Sequence, residues 1–286
     1  MSEVVDWSGA PAVGVGGRAA AELPAGRPPG TPDSADHELS ACAFPGVQVR
    51  AASVRGLLHR YRDQPRQDRY SLLHDVDSDT LVVTVCDGVG SLPRSQEAAA
   101  YVTRHMPHEY LASGSWATAV KQVNDGLARY AARRLDRAVA AGEDPEQHGM
   151  ATTFVGMAIP LGGDRAASIA WTDDSSVWHL DEGRWTNLTA GSGDTGEETH
   201  RVSVRALPHR EPRCRTAEVP TGRGAFFVVT DGVGVPLGDA AEVRDTLAGW
   251  WTTPPDVFTF GSQVAFARKS HLDDRTAVGI WYSVEA

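Results

Sequence analysis

Cysteine is scarce in this sequence: 286 residues contain three, Cys42, Cys86 and Cys214. Their separations match neither a zinc knuckle nor a set of paired disulfides, and an odd count leaves at least one free thiol. Free thiols are typical of a reducing compartment. We therefore predict a cytoplasmic protein.

Long apolar runs are also missing. No uninterrupted apolar stretch reaches the roughly 20 residues that a membrane-spanning helix needs. The first twenty residues carry Glu3 and Asp6, where a secretory signal would have Lys or Arg. The sequence predicts neither a membrane partner nor a secretion signal.

Positive charge is in deficit, with 27 Lys and Arg against 37 Asp and Glu and a net charge of -10. Nucleic acids are bound through clustered Lys and Arg, so we predict no nucleic-acid partner. An acidic protein that acts on anionic substrates needs a local positive field, and bound divalent cations can supply one.

The N-terminal region differs in composition from the rest of the chain. Residues 7–36 are rich in Gly, Ala and Pro and offer little apolar surface to offset the entropy of ordering. We predict a flexible tail over residues 1–45 and one catalytic domain over residues 46–286.

Hydrophobic periodicity within that domain predicts strands, then two long helices, then strands, helices and a final strand. The predicted strands cover residues 47–51, 70–73, 81–86, 153–157, 167–171, 176–180, 225–230 and 276–282; the predicted helices cover 95–106, 116–141, 240–251 and 257–270. This order indicates an α+β fold with helices flanking antiparallel sheets.

Three acidic positions share one context. Asp87 and Asp231 each follow an apolar strand and precede a glycine, and Asp273 comes just before the final strand. Carboxylates that converge at strand ends make a hard-oxygen site suited to Mg²⁺ or Mn²⁺. Taken singly, Asp-Gly after a strand is also a common turn signal, and spacing alone does not separate the two interpretations.

Six short motifs, in order, resemble those of the protein phosphatase 2C (PPM) family, bacterial type. They are Gln67-Asp68, Val85-Cys86-Asp87-Gly88-Val89-Gly90, Met150-Ala151-Thr152-Thr153, Asp173-Asp174-Ser175-Ser176, Val229-Thr230-Asp231-Gly232-Val233 and Asp273-Asp274-Arg275-Thr276-Ala277-Val278. The resemblance extends from Val49 to Tyr282.

This resemblance implies an antiparallel β-sandwich flanked by helical pairs, in four α/β/β/α layers, with a two-metal Mn²⁺ or Mg²⁺ centre. By matching position, Asp87 would bridge both metals, the Gly88 carbonyl would bind one, Asp231 and Asp273 would bind the other, and Asp68 would orient the attacking water.

Further positions match the family less closely. Asp174 matches a residue that helps bind a third metal in many relatives, although Val235 stands where its acidic partner would be. Arg62 is our candidate for the arginine that binds the substrate phosphate, with Arg60 and Arg66 as alternatives, and His59 is a candidate for phosphate contact or protonation.

The implied activity is hydrolysis of phosphoserine and phosphothreonine in proteins phosphorylated by a serine/threonine kinase. The departures at Val89, Ser176 and Val235 leave an alternative, an inactive pseudophosphatase that recognises phosphoproteins. A third possibility is a two-metal phosphoesterase for a small molecule. Residues 191–199 stand where relatives insert a flap.

Overall fold

A computed structural model describes residue 13 and residues 35–162, 166–190 and 206–282. One antiparallel sheet has six strands in the order β1-β2-β11-β10-β7-β8. Their bounds are β1 His37–Phe44, β2 Val47–Val54, β7 Ser176–Asp181, β8 Arg184–Asn187, β10 Ala225–Val229 and β11 Arg275–Tyr282. The central strands β2, β10 and β11 are almost wholly buried, because both faces of this sheet are covered.

The second antiparallel sheet has five strands in the order β3-β4-β5-β6-β9. Their bounds are β3 Arg69–Asp75, β4 Thr80–Cys86, β5 Phe154–Pro160, β6 Ala167–Thr172 and β9 Arg215–Val219. The connection from β7 to β8 is a two-residue hairpin turn in which Glu182 and Gly183 have φ values of 48° and 75°. Positive φ at both positions is what this turn type requires.

All the described helices except the short first one lie on the outer faces of the two sheets. Their bounds are α1 Leu57–Tyr61, α2 Ser95–Ser113, α3 Trp116–Ala140, α4 Asp231–Asp239, α5 Ala241–Trp251 and α6 Val257–Val264, with a 3-10 turn at Pro145–His148. The Ser115 hydroxyl caps the start of α3 by accepting a hydrogen bond from the Thr118 amide, and Asp256 caps α6 in the same way.

Three buried apolar clusters define the layers. One lies between the two sheets and includes Val83 and Val278. A second joins the five-stranded sheet to α2 and α3, and a third joins the six-stranded sheet to α4, α5 and α6. The protein is therefore an α+β sandwich in four layers, as predicted, although three helices rather than a pair cover the six-stranded sheet.

Several elements depart from the sequence predictions, among them β1, α4 and α6. Strand β1 falls inside the predicted tail and pairs with β2 along its whole length, so the boundary at residue 45 is too late. Its sequence, HELSACAF, lies at a sheet edge with partly exposed side chains, and so lacks the apolar content that marked the other strands. Helix α6 ends at Val264, before the predicted residue 270.

Other predictions concern residues that the structure does not describe. The tail at residues 1–12 and 14–34 and the candidate flap at residues 191–199 lie outside the described residues. Within the described ranges, no helix combines the length and apolar character needed to cross a bilayer.

Candidate metal centre

Four of the predicted aspartates meet at one end of the sandwich because of how the strands pair. Asp68 immediately precedes β3 and Asp87 immediately follows β4, and these strands pair with Arg69 opposite Cys86. In the other sheet, Asp231 follows β10 and Asp273 precedes β11, and Val229 lies opposite Ala277. In antiparallel pairs, the end of one strand lies beside the beginning of its partner.

Asp68 connects the two sheets. It is 1% exposed, and its Oδ2 accepts hydrogen bonds from the Thr230 and Thr276 hydroxyls, each at 2.8 Å. The Thr276 hydroxyl in turn contacts the Ser53 hydroxyl at 2.7 Å. Both threonines belong to the six-stranded side of the sandwich, so these bonds fix the position of Asp68 relative to the β10 and β11 ends.

Asp87 and Gly88 are held by the Met150–Thr153 motif. The Asp87 carbonyl accepts from the Thr153 amide and the Thr152 hydroxyl, both at 2.8 Å. Gly88 has no space for a side chain, because an added Cβ would lie 2.8 Å from the Gln67 Cβ and 2.9 Å from the Ser95 Cβ. The backbone at this strand end is therefore fixed tightly.

Asp231 is the first residue of α4 rather than part of a simple turn. Its neighbour Gly232 packs directly on the backbone that carries the last aspartates, since an added Cβ would lie 1.9 Å from the Asp274 carbonyl oxygen. This close approach brings Asp231 beside Asp273.

The crowding of carboxylates changes their acidity. Burial, followed by the negative charges of Asp68 and Asp231, raises the pKa of Asp87 well above its ordinary value. Burial and then the charge of Asp273 raise the pKa of Asp231 to about 6, although the neighbouring Asp87 carboxyl opposes this. Burial and the neighbouring Asp274 also raise the pKa of Asp68.

These features fit a divalent-cation site. Asp231 Oδ1 is buried and has no hydrogen-bond partner, which is costly unless a ligand satisfies it. Carboxylate oxygens are the hard donors that Mg²⁺ and Mn²⁺ prefer. The residues present therefore suit the metals that the sequence predicts.

Asp274, which the sequence analysis did not single out, has a structural role. Its Oδ1 accepts from the Gly56 amide and its Oδ2 from the Gln67 amide, both at 2.6 Å. The His59 Nδ1 also lies 2.8 Å from Oδ1. Although ligand atoms of His59, Asp273 and Asp274 lie within 4.8 Å of one another, the Asp274 oxygens are already used by these donors. We therefore interpret Asp274 as a residue that fixes the loop before Asp68.

His59 is 4% exposed and belongs to α1. Burial lowers the pKa of its ring, but the hydrogen bond and charge of Asp274 outweigh burial and raise it. A buried imidazole held by Asp274 is better placed to position this loop than to contact a substrate phosphate directly.

The candidate arginines differ in their surroundings. Arg66 is fully buried, where it donates to the Ser53 carbonyl at 3.0 Å and to Glu38 at 2.5 Å. Arg60 is mostly buried beside Asp36 at 3.9 Å. Arg62, just after α1, is exposed and so is accessible to a substrate.

Asp174 lies between β6 and β7 and lines an open cavity of about 300 Å³ together with Ser176, Trp178, Val235 and Asp239. Burial, with a contribution from the charge of Asp273, raises the pKa of Asp174. The cavity therefore adjoins the aspartate cluster. Both Val235, at the position where relatives have an acidic residue, and Asp239 lie on its wall.

Sequence reasoning missed the residues that hold the aspartates in place, chiefly Thr230, Thr276 and Asp274. The available signals were Thr230 directly before Asp231, Thr276 two residues after Asp274, and the pair Asp273-Asp274. Neither indicates a partner, because their hydrogen bonds span 162 and 208 residues of the chain.

The comparisons with known proteins agree with this architecture. The model of the protein phosphatase 2C family matches residues 55–259, so the chain belongs to that family. No curated protein matches the sequence.

Solved structures share the fold at low identity. A bacterial serine phosphatase aligns at a TM-score of 0.57 and 15% identity, covering 83% of this chain and 98% of that one. PppA, described as a regulatory component of T6SS in Pseudomonas aeruginosa, aligns at 0.54 and 17%, covering 85% and 100%. The serine/threonine phosphatase Stp1 from Staphylococcus aureus aligns at 0.53 and 14%, covering 91% and 98%.

Proposed function

We propose that this protein is a metal-dependent serine/threonine protein phosphatase that hydrolyses phosphoserine and phosphothreonine with water activated at a pair of Mn²⁺ or Mg²⁺ ions. The observation that carries the proposal is the convergence of Asp68, Asp87, Asp231 and Asp273 at one end of the sandwich, with Asp231 Oδ1 buried and unsatisfied. Family membership supports the reaction type.

Each residue has a proposed task. Asp87 would be a ligand shared by the two cations, the Gly88 carbonyl would bind one, and Asp231 and Asp273 would bind the other. When bound, the cations lower the pKa of water and stabilise the developing charge of an in-line displacement. Asp68 orients the attacking water, a task that suits a carboxylate fixed by two threonine hydroxyls.

The surroundings of the centre complete the proposal. Arg62 binds the substrate phosphate through its exposed guanidinium, a geometry suited to bidentate contact. Asp174 would help to hold a third cation in the adjoining cavity. Cys86 takes no part, because it is fully buried and burial raises the pKa of its thiol well above the ordinary value.

The test is Mn²⁺-dependent hydrolysis of a phosphothreonine peptide and of p-nitrophenyl phosphate. Asp87→Asn and Asp231→Asn should each lower kcat by about 100-fold or more, since each removes a charged ligand. Asp245→Asn, an exposed change on α5, is the matched control and should retain activity. Activity in the Asp87 and Asp231 variants equal to that of the wild type would reject the mechanism.

The departures at Val89, Ser176 and Val235 support the second candidate, a pseudophosphatase that binds phosphoproteins without turnover. Calorimetry separates the two functions. Tight binding of a phosphopeptide with no Mn²⁺ site and no hydrolysis would favour the binding module, whereas Mn²⁺ binding with turnover would favour the enzyme. Turnover of a small phosphoester alone would indicate the third possibility, a small-molecule phosphoesterase.

A further inference from the structure

Arg275 places a buried positive charge under the aspartate cluster. It lies between Asp274 and Thr276 at the start of β11 and is 4% exposed. It occupies the variable third position of the Asp-Asn-x-Thr element that the sequence resembles, and Asp274 occupies the position of the asparagine. This chain therefore has one additional carboxylate and one buried guanidinium side by side.

Three contacts hold the Arg275 side chain in place. Its Nη2 donates to the His271 carbonyl at 2.6 Å, and its guanidinium carbon lies 4.7 Å from the centroid of the Phe266 ring. Its stem passes beneath Gly232, where an added Cβ would lie 3.3 Å from the Arg275 Cγ. Gly232 follows Asp231, so the Arg275 stem packs against the backbone next to a predicted metal ligand.

The charges around Arg275 are mostly negative. Burial lowers the pKa of its guanidinium to about 10, while the charges of Asp273, Asp231, Asp274 and Asp68 oppose this, in that order of size. The side chain is therefore charged at neutral pH. Its Nε is buried without a hydrogen-bond partner, and the nearby carboxylates stabilise the guanidinium through their electric field.

We propose that the Arg275 guanidinium acts as a fixed positive charge beside the aspartate cluster. It offsets the repulsion between carboxylates in the metal-free protein and weakens the binding of divalent cations. Its part is that of a positioning residue, and the inference rests on the proposed metal centre.

The physical reason is that the guanidinium charge stabilises the metal-free protein and destabilises the metal-bound protein. Without metal, several carboxylates share a poorly solvated space, and a positive charge beside them lowers the cost of keeping them ionised. With metal, the same charge repels a cation held by Asp231 and Asp273. Removing it should therefore destabilise the metal-free protein and strengthen its response to metal.

The experiment compares the wild type with Arg275→Met, which keeps much of the apolar stem but removes the charge, and Arg275→Lys, which keeps the charge. Mn²⁺ affinity is measured by isothermal titration calorimetry, and thermal unfolding is followed in EDTA and in saturating Mn²⁺. We expect Arg275→Met to bind Mn²⁺ about tenfold more tightly, the scale of one charge–charge interaction at a partly solvated site. We also expect it to unfold at lower temperature in EDTA and to show a larger stabilisation by Mn²⁺. Arg275→Lys should resemble the wild type.

A purely structural role predicts a different pattern. If Arg275 only packs on Phe266 and Gly232, the methionine variant will lose the same stability in EDTA and in Mn²⁺, and its Mn²⁺ affinity will not change; that result would overturn the inference. If Arg275→Met cannot be purified, the neutral Arg275→Gln variant is tested in the same way and by the same criteria. Absence of Mn²⁺ binding by the wild type would instead refute the proposed metal centre and this inference with it, so the two failures are distinguishable.

Discussion

Replacing Thr276 with valine tests whether hydroxyl groups behind the aspartate cluster hold it in place. The change is nearly isosteric and keeps the backbone amide, which donates to the Thr230 Oγ1 at 3.0 Å. It removes the hydroxyl that lies 2.8 Å from Asp68 Oδ2 and 2.7 Å from Ser53 Oγ. Both of these partners are buried.

The expected loss follows from those two contacts. A hydrogen bond to a charged group contributes about 1.5–3 kcal/mol, and an orphaned buried hydroxyl adds a further cost. We expect Thr276→Val to lower the free energy of unfolding by about 2–3 kcal/mol, which corresponds to a fall in Tm of about 5–10 °C for a domain of this size. Because Asp68 would be less firmly oriented, kcat should also fall.

Thr84 provides the matched control. It is also a fully buried threonine, on β4, but its hydroxyl has no hydrogen-bond partner. Thr84→Val removes an unsatisfied polar group, so stability should stay the same or rise. Urea denaturation of the two variants measures the difference. Equal effects of Thr276→Val and Thr84→Val would refute the reasoning.

Three further predictions concern other parts of the molecule. Gly232→Ala should lower the free energy of unfolding by about 3 kcal/mol or more, because the new methyl group meets a backbone carbonyl. Gly249→Ala on α5, where an added Cβ would have no atom within 4 Å, should instead raise it by about 0.5–1 kcal/mol. Denaturation that ranks the two variants in the opposite order would contradict this. Although burial acts to raise the pKa of Glu97, hydrogen bonds led by that from Arg134 lower it overall. The unfolded chain then binds protons more readily than the native one, so this contribution is present above pH 4.5 and is lost as the pH falls through the lowered pKa of the native state. Glu97→Gln should therefore cost about 1 kcal/mol at pH 7 and progressively less as the pH is lowered below 4.5. A cost independent of pH would argue against the ion pair. Cys86 should not react with a thiol reagent in the native protein, and Cys86→Ala should keep phosphatase activity; rapid labelling under native conditions would show that the site is open.

The sequence determined the elements whose burial pattern is regular. The apolar run that forms β4 and the helical spacing of α3 match the structure closely, because each period of hydrophobicity corresponds to one backbone geometry. Strand β1 was missed because an edge strand with half-exposed side chains has no such period. Helix α4 was missed because its sequence, DGVGVPLGD, is rich in residues that disfavour helices and is stabilised by packing on β10 and β11.

The candidate site also has a part that the sequence predicts and a part that it does not. The ordered motifs identified Asp68, Asp87, Asp231 and Asp273 as residues of interest, since their chemical type and their place at strand ends can be read locally. Only the tertiary structure decided that these residues lie at the same end of the sandwich and that Thr230 and Thr276 hold Asp68. These contacts join residues that are distant in the chain, and strand pairing and sheet packing, which no local pattern encodes, bring them together.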